Sequence, residues 1–346
     1  MNLAIPNDIL QRGVDAGVFT HAAYALAVGG EVVVTATFGD ATPSTIFDLA
    51  SLTKPMSTAT LLLQCVERGE LHLGQKVDSF FSDLHGPLSH LADVDLFDLA
   101  THTGGLPPIP EWPGSVDGAS RDDLMRSVLK TPRGQLPGVG YAYSDTGYII
   151  LGEIISKATG KSLPELFQER IAEPAGLGRV GFLPPSDWHE YLAPTSTSTS
   201  AGMVHDPRAR DMGGVAGHAG LFGTAADVLA FLEIIRKGGA PLLSRAAVAR
   251  MSTSQIETSV GAHSIGWFCA GNDFLPKGDL FSDRSFGHSG FTGAVALIDP
   301  EYDVSLVLLT NRVVNEANDN RPFLSVRRQW TNAVAAAVTS ETHPDA

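Results

Sequence analysis

The stretch Leu49-Ala50-Ser51-Leu52-Thr53-Lys54-Pro55-Met56-Ser57-Thr58-Ala59-Thr60-Leu61-Leu62-Leu63-Gln64-Cys65-Val66-Glu67-Arg68-Gly69 carries two superimposed patterns. In the first, Leu52, Met56, Ala59, Leu63 and Val66 fall at alternating steps of four and three, the period of a helix with one buried face, and Gly69 stops it. In the second, Ser51 and Lys54 stand three apart at the start of that helix. Residues three apart share a helix face, so the Lys54 amine lies beside the Ser51 hydroxyl and can help remove its proton. With 27 serines and seven lysines in 346 residues, about 0.5 such pairs arise by chance, so position must decide. The second pair, Ser127 and Lys130, comes late in a helix stopped by Thr131-Pro132. Ser51 instead sits at a helix start, where free N–H groups and the helix dipole favour a developing anion. Pro55 fits the first turn, where its missing N–H costs little.

Upstream, residues 6 to 17 read as a short amphipathic helix, and 22 to 29 and 31 to 38 as a hairpin about Gly29-Gly30. Downstream, residues 75 to 245 hold helical patterns at 121 to 130, 145 to 158 and 224 to 237, separated by Pro/Gly/Ser/Thr-rich stretches such as 103 to 118 and 194 to 202. Strand signals return at 264 to 270, 291 to 298 and 304 to 310, before a last helix ending near Val338. The fold class is therefore α+β: an antiparallel sheet built from the N- and C-terminal segments, flanked by helices, with a mostly helical region inserted. Residues 1–75 and 245–346 are expected to form the α/β sheet subdomain and 76–244 the mostly helical one, with the active site between them.

Composition narrows the function. Hydrophobic residues are 43% and charged residues 18%, enough apolar side chain for a sizeable core. Thirty-eight acidic residues against 24 basic ones give a net charge of −14, and without a basic stripe nucleic acid is repelled. The first thirty residues, Met1 to Gly30, carry only Arg12 as a permanent cation and no apolar run long enough for a signal-peptide core or a membrane span, which points to a cytoplasmic chain. Cys65 and Cys269 sit in apolar segments and read as reduced core thiols. His205 and His218 are single histidines without an i, i+4 partner, so no metal and no cofactor is expected. The state of assembly is not legible.

Two further motifs carry chemistry. In Tyr143-Ser144-Asp145, either Ser144 or Asp145 suits the N-cap of the helix that follows, and a tyrosine near a lysine ammonium can have its pKa lowered and act as a general base. His288-Ser289-Gly290 reads as a tight turn into the strand at 291, or as a strand edge where Gly290 admits substrate and the Phe291 N–H helps hold an oxyanion. Thr224 to Asp227 has the form of a capping box.

In this order the motifs resemble the serine β-lactamase and penicillin-binding-protein superfamily, in the branch that holds class C β-lactamases, D-stereospecific peptidases and amidases, and related esterases. The likeness extends to Thr101-His102-Thr103-Gly104-Gly105-Leu106, to Gly213–Phe222 and to Thr310-Asn311-Arg312. The resemblance implies a β-lactamase/transpeptidase-like fold and acyl transfer. Ser51 would be the nucleophile, Lys54 and Tyr143 its activating pair, and the N–H groups of Ser51 and Phe291 the oxyanion hole, with Asp145, His288, Ser289 and Gly290 facing a small-molecule ester or amide. Two positions depart from the family pattern. His288 replaces a lysine and is mostly neutral at pH 7, and Asp145 replaces an asparagine, can only accept hydrogen bonds and favours a charged Lys54. An esterase is the leading expectation. An amidase or D-amino-acid/cell-wall peptide peptidase with weak or no β-lactamase activity comes second, and a non-catalytic penicillin-binding-like ligand sensor third.

Overall fold

Strands from the two ends of the chain pair in one sheet of the computed structural model, which describes residues 1–81, 88–197, 200–258, 261–314 and 319–340. Among the described residues the strands are β1 (His21–Val28), β2 (Glu31–Gly39), β3 (Phe47–Asp48), β4 (Val180–Phe182), β5 (Leu221–Gly223), β6 (Ile256–Thr258), β7 (Gly261–His263), β8 (Phe268–Cys269), β9 (Phe286–Gly290), β10 (Ala294–Asp299) and β11 (Val304–Thr310). Eight of them form an antiparallel sheet in the order β2-β1-β11-β10-β9-β8-β7-β6. β1 lies on β11 from Ala22↔Thr310 to Val28↔Val304, which joins the chain ends directly.

Both faces of this sheet are covered, so its central strands are continuously apolar rather than alternating. Ala23, Ala25, Ala296, Val307 and Leu309 point to a core shared with Met56, Leu62 and the inserted helices. Their neighbours Ala22, Tyr24, Leu26, Val295, Leu306 and Leu308 point to a second core with Ile9, Leu10, Trp330 and Val334 of the first and last helices. Those helices span Ala4–Asp15 and Arg321–Thr339. Among the described residues, no helix is long and apolar enough to cross a membrane.

The inserted helices Arg121–Lys130, Asp145–Thr159 and Ala225–Arg236 lie where their periodicity places them. The same region also supplies β4 and β5, which join β3 in a small sheet ordered β3-β5-β4. Residues 198 and 199 of the Ser/Thr-rich stretch fall outside the described residues.

Three expectations need correction. The helix after Ser51 is not one α-helix: a 3-10 turn Ala50–Leu52 leads into a π-helical stretch Lys54–Ala59, and only Thr60–Glu67 is α-helical. The Pro55 carbonyl is taken by the Thr60 hydroxyl (2.8 Å), and such widened turns gather at functional sites. Of the two readings of His288-Ser289-Gly290 the turn fails and the strand holds, since it ends β9, but β9 lies between β10 and β8 and not at an edge, and the strand expected from 291 begins at Ala294. The strand expected over 264 to 270 is interrupted by a turn, in which Ser264 N–H donates to the Trp267 carbonyl (2.9 Å).

Candidate active site

β3 ends at Asp48, whose buried carboxylate organises the turn carrying Ser51. Asp48 Oδ1 accepts the Ala50 N–H (2.8 Å) and Oδ2 accepts the His205 N–H (2.7 Å). These bonds hold Ala50 at φ +45, a left-handed conformation that costs a residue with a Cβ about 1–2 kcal/mol. Burial pushes the Asp48 pKa up to about 6, against the pull of its two N–H donors. Thr53 donates its hydroxyl to the Ala50 carbonyl (2.7 Å) and accepts the Leu221 N–H (3.1 Å), which pins the turn to β5.

Lys54, 0% exposed, meets three oxygen acceptors. Its Nζ lies 3.1 Å from Ser51 Oγ, 3.2 Å from the His218 carbonyl and 2.7 Å from Asp145 Oδ1. The ammonium is thus surrounded by a hydroxyl, a carbonyl and a carboxylate, with Tyr143 as a further hydrogen-bond partner. Burial draws the Lys54 pKa down, but Asp145 and Tyr143 outweigh it and the net shift is upward, so Lys54 is an ammonium. The expectation that Asp145 favours a charged Lys54 agrees with this geometry.

Ser144, not Asp145, is the N-cap of the helix Asp145–Thr159, its hydroxyl accepting the Gly147 N–H. Asp145 is thereby left free to reach Lys54. Tyr143 places its ring centroid 4.8 Å from Lys54 Nζ. Its pKa is raised: burial and Asp145 push it up, and together they outweigh Lys54 and the hydrogen bonds to Lys54 and Ser51. The expected lowering by the ammonium is therefore present but overridden by desolvation.

β9 passes directly along the nucleophile turn. A Cβ on Gly290 would meet the Leu49 carbonyl at 2.6 Å, which is why only glycine fits there. Thr292 Oγ1 donates to the Asp48 carbonyl (2.7 Å), fastening the turn that carries Phe291 to the same hub. His288 is 0% exposed, donates Nδ1–H to the Ser289 carbonyl (2.9 Å) and stacks on Phe268 (4.4 Å). Burial first, then Lys54 and His263, hold its pKa well below the usual imidazole range. His288 is thus neutral, and its ring packs among aromatic side chains, 5.8 Å from Tyr143.

Sequence reasoning did not assign Asp48, His102 or Asp206. His102 Nδ1 accepts the Ser144 N–H (3.0 Å), its ring lies 4.7 Å from Tyr143, and it sits at φ +61. Its signal was the Thr101–Leu106 phrase, quoted above without a role. Asp206 accepts from Ala209 N–H (2.9 Å) and pairs with His218 Nε2 (2.9 Å), which holds its carboxyl well below the usual range despite burial. Ligand atoms of Asp145, Asp206 and His218 lie within 4.8 Å of one another. The Lys54 ammonium already brings positive charge to that cluster. Cys65 and Cys269 are buried free thiols. The Ser127 hydroxyl donates to the Asp123 carbonyl of its own helix (3.4 Å).

The Beta-lactamase family model matches residues 7–328. A protein of Escherichia coli (strain K12) named "Putative D-alanyl-D-alanine carboxypeptidase" is 30% identical over 306 residues, which cover 79% of this chain and 70% of that one. Among solved structures, the octameric penicillin-binding protein homologue from Pyrococcus abyssi superposes with a TM-score of 0.77 at 21% identity, over 97% of this chain and 78% of that one. EstCE1, a hydrolase with promiscuous acyltransferase activity, gives 0.76 at 19% identity, covering 95% and 97%. A class C β-lactamase from Rhodobacter sphaeroides gives 0.75 at 21%, covering 96% and 99%. A family model that spans nearly the whole chain, and a fold shared with penicillin-binding-protein homologues and class C β-lactamases, make this chain a member of the beta-lactamase family of serine hydrolases.

Proposed function

We propose that the chain hydrolyses small esters through an acyl-enzyme on Ser51, in a site between the sheet subdomain (1–75 and 245–346) and the helical subdomain (76–244). The observation that carries this reading is Ser51 Oγ at 3.1 Å from the Nζ of a fully buried Lys54. Tyr143 first gives its proton to solvent; Ser51 Oγ then attacks the carbonyl carbon and its proton passes to the Tyr143 phenolate oxygen. The N–H groups of Ser51 and Phe291 receive the oxyanion. Collapse of the tetrahedral adduct expels the alkoxide, which takes the proton back from Tyr143. Water then repeats the sequence on the acyl group. Lys54, held as an ammonium by Asp145, stabilises Tyr143 as it becomes a phenolate. Because the resting Tyr143 is a phenol, turnover climbs with pH. Ester cleavage leads because an alkoxide leaves more readily than an amide nitrogen, which needs its proton in step with bond breaking.

A second reading, cleavage of D-amino-acid amides or peptides, is favoured by the names of the relatives at 30–31% identity. Fluorophosphonate labelling with intact mass and peptide mapping tests the acyl-enzyme, and nitrophenyl esters set against D-amino-acid amides test the order of substrates. A single adduct on Ser51 and faster ester turnover are expected. An adduct on any other residue sinks the mechanism.

A further inference from the structure

Residues 217–221 are gripped by three side chains that follow Ser51. Thr58 donates its hydroxyl to the Gly217 carbonyl (2.6 Å), Lys54 Nζ donates to the His218 carbonyl (3.2 Å), and Thr53 accepts the Leu221 N–H (3.1 Å). A Cβ on Gly217 would meet the Tyr148 carbonyl at 2.0 Å, so the same segment lies against the helix that starts at Asp145. Within it His218 is tied twice. Its carbonyl faces Lys54, and its ring, 1% exposed, places Nε2 at 2.9 Å from Asp206 Oδ1.

Burial pushes the Asp206 carboxyl up, but His218, the Ala209 N–H and Lys54 outweigh it and hold it well below the usual range. An ionised carboxylate only accepts, so the proton of the His218 ring sits on Nε2. His218 Nδ1 has no partner, and among the described residues Asp206 alone fixes the ring by a hydrogen bond. Asp206 is itself well placed to do so. It caps the helix Pro207–Asp211 by accepting the Ala209 N–H (2.9 Å), and the preceding His205 N–H reaches Asp48, the acid that shapes the Ser51 turn.

The acyl-enzyme cycle gives Lys54 a need for this tie. Two of its partners, the Ser51 hydroxyl and the Tyr143 oxygen, change protonation in every turnover. The Asp145 carboxylate (2.7 Å) and the His218 carbonyl do not. A backbone carbonyl can aim an ammonium only as well as its own residue is held, and misaimed groups lose rate steeply. Ligand atoms of Asp145, Asp206 and His218 lie within 4.8 Å of one another, so both constant partners of Lys54 belong to one cluster.

We propose that Asp206 and His218 are positioning residues for the Ser51 chemistry. The Asp206 carboxylate locks the His218 ring, and with it the carbonyl that keeps the Lys54 ammonium aimed while Ser51 and Tyr143 exchange a proton. The inference rests on the acyl-enzyme reading above. The test sets replacements that keep the Asp206–His218 bond against ones that break it. Asp206→Asn and His218→Gln keep an acceptor and a donor. Asp206→Ser still caps the Ala209 N–H but is too short to reach His218, and His218→Phe fills the space without a donor. Saturating fluorophosphonate labelling of Ser51 counts the folded sites in each protein, and kcat and KM per site are read on nitrophenyl acetate. Asp206→Ser and His218→Phe should each lower kcat about ten- to a hundredfold with KM within about threefold, and the double variant should be little worse than either. Asp206→Asn and His218→Gln should recover most of the rate. Wild-type kcat per site in Asp206→Ser, or a loss confined to KM, overturns the proposal. So does an Asp206→Asn as slow as Asp206→Ser, which would make the charge of Asp206 and not its bond the working feature. No adduct on Ser51 and no ester turnover in the wild-type protein overturn the acyl-enzyme reading instead.

Discussion

At the inner end of the site the Lys54 ammonium faces the Ser51 hydroxyl, the His218 carbonyl and the Asp145 carboxylate at 2.7 Å, whereas at the outer end the Arg312 guanidinium lies over the rings of Phe291 and Phe323. The inner end is electrostatically complete before any substrate arrives. Its groups are held by β3, β5, β9 and a helix N-terminus, so they are pre-positioned for charge that develops during the reaction. The outer end is an aromatic rim in which Phe291 stacks with His205 and Arg312. The contrast separates groups set for charge that develops from an aromatic rim around them, and variants at the two ends should fail in different ways.

The largest effect belongs to Ser51→Ala, which should lower kcat by at least about ten-thousandfold and abolish the fluorophosphonate adduct. Wild-type turnover in that variant would break the inner half of the contrast. Next come Lys54→Ala and Tyr143→Phe, each expected to reduce kcat at least about a hundredfold. The double variant should be little worse than either, because groups acting as one unit are non-additive. Losses that multiply would mean that the two act independently. His102→Leu should then lower kcat about tenfold, since a buried Ser144 N–H left without its acceptor costs ~1–3 kcal/mol and shifts Tyr143. His102→Gln, which retains an acceptor, should recover most of the rate. An unchanged kcat in His102→Leu would show that Tyr143 is positioned without it.

Much of this was legible in the residues. Ser51, Lys54 and Tyr143 are brought together because a helix start and a strand-to-helix transition have local signatures, and the pairing of the two chain ends followed from where strand signals lay. The covered faces of β1 and β11 hid the alternation that usually marks a strand, yet their apolar runs still marked them. What stayed hidden depends on long-range contact. Asp48 looks like any acidic residue after a phenylalanine until His205, 157 positions away, donates to it. His288 read as a substrate-facing imidazole because nothing local announces that Phe268 and His263 will bury it. The sign of the Tyr143 shift failed for the same reason, since desolvation is a property of the packed site.

The smallest effect, and the one that sharpens the inner end most, concerns Asp145. Its charge raises the pKa of Tyr143 and, against burial, that of Lys54. Asp145→Asn removes the charge and keeps an oxygen that accepts from Lys54, so both pKa values should fall. The reactive form has Tyr143 without its proton, and lowering the Tyr143 pKa populates that form at a lower pH. The rising limb of kcat/KM should therefore move toward acid in the variant, while its maximum changes by about tenfold or less, the value of one altered hydrogen bond to a charged group. The falling limb should move the same way, because an Lys54 that loses its proton earlier no longer supports the phenolate. A pH–rate profile of a neutral nitrophenyl ester from about pH 5 to 10 reads both limbs. A profile displaced toward alkali would mean that Asp145 itself takes the proton from Ser51, and that the Lys54–Asp145 pair, not Tyr143, is the base of this site.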